Sequence, residues 1–228
     1  MNLIRAVLGV GIVTVGVSAL ASQAFFVAPD FRGAGGGAYA LYAGWESFTV
    51  PITSVATPQK NSPDLVGSTS LASLAQYNEL ASLTGTGNLY NQNGVSSFEV
   101  GYAGLGFRGA DKVVLQVRTL GSELNYDSFR LEYGATSLTG TRTELERTSF
   151  GPPPGTPGSG FSVTSSIAWE LPENPTGPLT IKFQSADVSV SFDSANLDVR
   201  LVPEPSTWAL LGLGGVVLAL AQRRRARN

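Results

Sequence analysis

The sequence predicts an all-β body of antiparallel type, a β-sandwich or jelly roll in which two sheets pack face to face. Three observations predict it. From Ala38 onward Gly, Pro, Asn and Ser punctuate the chain about every ten residues. The stretches between favour β-branched and aromatic residues, and their apolar positions alternate with polar ones at period two. About eight to ten short strands, each apolar on one face, need a second sheet to cover that face, and a closed barrel is the second choice.

The elements follow in chain order. MNLIR is a short basic start, and AVLGVGIVTVGVSALA then runs uncharged from Ala6 to Ala21 before SQAFF. This pattern predicts a signal peptide over residues 1–24, helical before removal, with cleavage after Ala24 favoured over Ala21 and an uncleaved anchor as the alternative. The exported domain is predicted over 25–201. Within it TSLASLAQYNELASL fits strands better than the helix that its leucine spacing also permits, and GNLYNQNG reads as turns at a sheet rim. SSFEVGYA places Phe98, Val100 and Tyr102 on one face, and DKVVLQVRTL turns Val113, Leu115 and Val117 inward with Gln116 and Arg118 outward. FRLEYG does the same with Phe129, Leu131 and Tyr133, and ELER reads as an exposed strand of alternating charge. GPPPGTPGSG, rich in proline and glycine, is a surface loop. After it FSVTSSIAWEL turns Phe161, Val163, Ile167, Trp169 and Leu171 inward, and LTIKF turns Leu179, Ile181 and Phe183 inward. In VSVSFDSANLDVRLV the apolar parity changes from even to odd, so a turn or bulge at Asp193 to Asn196 must reset the register, with a closing hairpin as the expected outcome.

The remaining segment, 202–228, has three parts in order: VPEP, the uncharged run STWALLGLGGVVLALAQ, and RRRARN. Pro203 and Pro205 keep the first part extended and accessible. The eighteen uncharged residues from Pro205 to Gln222 would make a helix of about 27 Å, close to a hydrocarbon core of about 30 Å. Arg223, Arg224, Arg225 and Arg227 form a membrane stop that stays cytoplasmic by the positive-inside rule. An ordinary tail anchor behind a proline-rich linker is the plainer reading of the same composition. This arrangement resembles the PEP-CTERM sorting tail, also labelled the ice-binding protein C-terminal domain. The resemblance implies that Pro203, Glu204 and Pro205 are recognised by an exosortase, a membrane-embedded transpeptidase-like protease, after the export machinery has delivered the chain to the membrane. It further implies a cell-surface or extracellular destination.

Composition excludes several chemistries. Between Phe25 and Val202 sixteen Asp and Glu stand against ten Lys and Arg, and an acidic body disfavours nucleic acid. Cysteine and histidine are absent, which removes disulfides, thiolate nucleophiles, imidazole bases and the usual structural zinc sites. GLGFRG has the wrong spacing for a dinucleotide loop. A glycoside hydrolase would need two of the carboxylates paired, which sequence alone cannot do, so no catalytic residue is assigned and the body is read as non-catalytic.

Two sets of binding residues remain. Tyr39, Tyr42 and Trp45 crowd the start of the body; if exposed, Tyr42 and Trp45 would form a platform for a sugar ring, whereas core packing is the default for them and for Trp169. Asp30, Asp193, Asn196 and Asp198 offer oxygen ligands for a structural calcium, although Asx residues are also the usual turn formers and no calcium-loop motif is present. A terminal strand bearing Asp193 and Asp198 resembles those of galactose-binding-like and carbohydrate-binding jelly rolls, which implies extracellular polysaccharide as a partner. A purely structural matrix protein is the rival expectation. Ice binding ranks last, because the threonines keep no fixed repeat.

Overall fold

A computed structural model describes residues 25–33, 39–49, 60–78, 81–104, 108–152 and 159–202. The expected signal peptide, Pro203 to Pro205, the apolar tail and its arginines lie outside these residues, as do the centres of GLGFRG and of the proline-rich loop.

The described chain is all-β. Its strands are β1 (Ala40–Trp45), β2 (Ala72–Gln76), β3 (Ser82–Leu83), β4 (Leu89–Tyr90), β5 (Ser97–Tyr102), β6 (Ala110–Gly121), β7 (Leu124–Tyr133), β8 (Thr136–Thr139), β9 (Thr141–Phe150), β10 (Gly160–Glu170), β11 (Leu179–Ser185) and β12 (Val190–Leu201). They form two antiparallel sheets. The larger runs β3-β4-β12-β6-β10-β9, with β1 continuing beside β12 where β4 ends, and the smaller runs β2-β5-β11-β7-β8. The segment that leucine spacing left open between helix and strand is thus strand at β2 and β3. GNLYNQNG, expected as turns alone, contains the short strand β4.

Period-two alternation puts one face of each sheet into a shared core. Val113, Leu115 and Val117 of β6, Ile167 and Trp169 of β10, and Leu197 and Val199 of β12 meet Phe98 and Val100 of β5, Phe129 and Leu131 of β7, and Ile181 and Phe183 of β11. Burying each such side chain stabilises the fold by about 1.5–3 kcal/mol. Aromatic rings carry the contact from sheet to sheet. Phe129 lies 4.4 Å from Phe183, Phe183 lies 5.1 Å from Phe98, and Phe98 lies 4.7 Å from Phe192 on the opposite sheet. Stacked pairs of this kind add about 0.5–1.5 kcal/mol each beyond area burial.

Two details differ from the sequence reading. The parity change near Asp193 is a bulge inside one continuous strand: the register against β6 shifts between Phe192 and Ser194, so Asp193 is the extra residue and no hairpin forms. Keeping β12 whole preserves its pairing with β6 along its length, which a turn would forfeit. Phe161, expected inside, is 36% exposed, because it sits at the rim of the sheet opposite Gly121 and Ser149.

Candidate functional site: the outer face of the larger sheet

The outer face of the larger sheet carries polar residues, yet several of them are buried. The cover is the segment 25–33. The Gln116 side chain acts as a substitute strand partner for it: Nε2 donates to Val27 O (2.7 Å) and Oε1 accepts from Val27 N–H (2.9 Å). Gln116 therefore points away from the core as its parity requires, but it meets the chain's own backbone where solvent was expected, and it is 2% exposed.

Further along the segment, Arg32 meets Asp198. Nε stands 2.9 Å from Oδ1, and the Asp198 side chain is fully buried. The approach is off-line, so neither Asp198 oxygen nor Arg32 Nε has a hydrogen-bond partner among the described residues. Burial raises the Asp198 pKa to about 7, and the Arg32 charge offsets only part of that. The guanidinium also lies 4.2 Å over the Tyr42 ring, and Tyr42 Oη donates to Asn196 Oδ1 (3.2 Å). Burial raises the Tyr42 pKa, with Arg32 opposing it.

These contacts revise both sets of sequence candidates. Trp45 pairs with Ala195 and points into the core; it is fully buried, and its indole N–H donates to Asn61 O (3.0 Å). Tyr42 points the other way and is half-buried under Arg32. The proposed sugar platform of Tyr42 and Trp45 does not exist, because alternation along β1 sends the two rings to opposite faces. The calcium set is not assembled either. Asp30 caps its own neighbour, accepting from Phe31 N–H (2.9 Å); Asn196 is held by Tyr42 and Asp198 by Arg32. Among the described residues no three acidic side chains converge on one point.

Asp193 has a different environment, created by the bulge. Its Oδ2 accepts from Arg118 Nη1 (2.8 Å) and Ser194 Oγ (3.2 Å), and its Oδ1 accepts from Asn88 Nδ2 (3.1 Å). Arg118 Nε donates to Ser162 Oγ (3.0 Å), and the Phe25 ring packs 3.7 Å from the guanidinium. Two clefts open on either side of Phe25 and share Phe25 and Arg118. One, of about 400 Å³, is lined by Glu46, Ser47, Thr86, Asn88, Asp193 and Ser194. The other, of about 310 Å³, is lined by Leu120, Glu146, Thr148, Phe150 and Ser162. Both fall near the lower end of the roughly 300–1,000 Å³ of small-ligand sites. Sequence reasoning singled out Asp193 but missed Phe25, Asn88, Arg118, Glu46 and Glu146. The available signals were the aromatic pair directly after the expected cleavage point and the asparagines of GNLYNQNG.

A third cleft, of about 370 Å³, lies on the smaller sheet beside Tyr77, Ser97, Glu99, Ser128, Lys182 and Gln184. Burial, reinforced by Glu99, pushes the Tyr77 pKa up to about 12. The ELER strand is exposed as expected: Arg147 bridges Glu123 (2.7 Å) and Glu144 (2.9 Å), while Arg142 pairs with Glu144 and covers Tyr126 at the edge of the core.

The body ends where the tail begins. Leu201 N–H donates to Tyr39 O (2.7 Å), Val202 N–H donates to Gly109 O (2.8 Å), and Pro203 has no N–H to continue the ladder. A two-sheet body whose last described strand, at the centre of the larger sheet, is followed in sequence without a spacer by a proline-flanked tail defines the class: a folded cargo carrying a C-terminal address. The address is the PEP-CTERM protein-sorting motif, whose family model matches residues 201–225. It marks the chain for export, for a membrane-anchored precursor and for exosortase processing. No curated protein and no solved structure matches the chain.

Proposed function

We propose that this chain is an exported, non-catalytic β-sandwich of jelly-roll type that binds extracellular polysaccharide, delivered to the cell surface or matrix by its sorting tail. A signal peptide over 1–24 and a tail helix ending at the arginine cluster complete the precursor. One observation carries the reading: the folded body closes at Val202, and its groove, formed by the two clefts that share Phe25 and Arg118, lies toward the opposite end of the same strand. Asp193 and Leu201 are eight residues apart on β12, about 27 Å at about 3.4 Å per residue, so the groove is presented away from the membrane attachment.

The geometry favours binding over hydrolysis. Glu46 and Glu146 have no ion-pair partner among the described residues, but they follow β1 and sit on β9. With β12, β6 and β10 between them, their backbones are about 19 Å apart at about 4.8 Å per strand, beyond the roughly 5–9.5 Å that separates glycosidase carboxylates. Asp193, the remaining carboxylate of the groove, is ion-paired to Arg118.

The test has two parts. In gels cast with the native host's extracellular polysaccharide the mature protein should be retarded; unchanged mobility overturns the binding role. In the host, mass spectrometry should find a shortened C-terminus that is lost when Pro203, Glu204 and Pro205 are replaced by alanine; identical termini overturn the processing role.

A further inference from the structure

The two clefts beside Phe25 are halves of one groove, and its charge distribution specifies the ligand more closely. The groove crosses the larger sheet from the end of β1 to β9, transverse to the strands. Among the described residues its one cationic side chain, Arg118, is committed: one face of its charge is met by Asp193 at 2.8 Å, its Nε by Ser162, and its plane by the Phe25 ring. The three polar contacts on Asp193 fix that carboxylate in turn. Each half then retains one carboxylate with no salt bridge among the described residues, Glu46 in one and Glu146 in the other. Among the described residues Glu146 accepts from Thr148 Oγ1 (3.1 Å). Most other acidic side chains of the two sheets and their turns behave differently: Glu99, Asp111, Glu123, Glu132, Glu144, Glu170 and Asp198 all face a lysine or arginine within 4.0 Å.

We infer that the groove binds a linear glycan bearing free amino groups, an internal stretch of the chain lying across Phe25 with its ammonium groups against Glu46 and Glu146. The inference rests on the polysaccharide-binding reading above and narrows it. The Phe25 ring and Phe150, 42% exposed, supply apolar surface for sugar faces, and Ser47, Thr86, Thr148 and Ser162 supply hydroxyls along the walls. A uronate or sulfated chain would bring its anions against two unneutralised carboxylates, which costs affinity and slows encounter.

The test compares three oligomers at pH 6, where the sugar amine is protonated, and at low salt: a β-1,4-linked glucosamine hexamer, its fully N-acetylated counterpart and an oligogalacturonate. Titration calorimetry on the mature protein should show the amine-bearing hexamer binding about fivefold more tightly than the N-acetylated one, as two exposed charge contacts would give, and no binding of the uronate. The advantage should shrink in high salt. The double variant Glu46→Gln, Glu146→Gln, altered only at exposed side chains, should bring the two hexamers level, while Phe25→Ala should weaken both. An amine preference that survives the double variant, or preferential binding of the uronate, overturns the inference. Retardation by host polysaccharide that none of these variants alters would overturn the groove assignment and leave the broader function standing; no retardation at all would remove both.

Discussion

Asp198 offers the sharpest quantitative test of the fold. It is fully buried on the outer face of β12, faced by Arg32 from the covering segment and by Tyr42 from β1, and its pKa is raised from 3.8 to about 7. Because the folded-state value is the higher one, the folded chain binds more protons than the unfolded chain between these limits. The stabilisation is therefore complete below about pH 4 and is lost as pH rises through about 7. A shift of about three units at about 1.36 kcal/mol per unit makes this loss about 4 kcal/mol. Asp198→Asn keeps the shape and removes the titration. Urea denaturation of the mature protein from pH 4 to pH 8, followed by the fluorescence of the buried Trp45 and Trp169, should show wild-type stability falling more steeply with pH than that of the variant, by up to about this amount. Arg32→Met should carry the wild-type decline on to higher pH and enlarge its total, since it removes the one cation among the described residues that holds the pKa down. Parallel pH profiles for wild type and Asp198→Asn would refute both the burial argument and the covering role of residues 25–33.

Three further outcomes follow from packing. Phe192→Ala removes the ring that joins the two sheets through Phe98, Phe183 and Phe48 and should cost about 3–5 kcal/mol in the same denaturation assay. Gly140→Ala should destabilise by about 1–3 kcal/mol, because the chain crosses from β8 to β9 there and the new Cβ would overlap Ile167 Cγ2 and stand 2.7 Å from Trp169 Cε2; a thermal melt unchanged from wild type would contradict this. Lys182→Ala should shift stability by less than about 1 kcal/mol despite its 2.6 Å contact with Glu132, since both side chains are exposed and solvent screens the pair.

Alternation and tail chemistry are local properties, and the sequence by itself determined what depends on them. Phe98, Val100 and Tyr102, then Val113, Leu115 and Val117, then Phe129, Leu131 and Tyr133 all face the core as their spacing requires, because a strand presents every second side chain to the same side. The sorting signal was equally legible, since rigid prolines, an apolar run and clustered arginines act as consecutive residues. Only the tertiary structure decided what lies against each outward face. Gln116 and Asp198 look solvent-exposed in sequence and are buried because a segment about ninety residues or more distant crosses over them. Trp45 became core and Tyr42 half-buried through their register against β12, and the parity break at Asp193 became a bulge whose carboxylate Arg118 and Asn88 then fixed. Burial and pairing across the sheet are relations between distant parts of the chain, and local pattern contains no information about which distant part arrives.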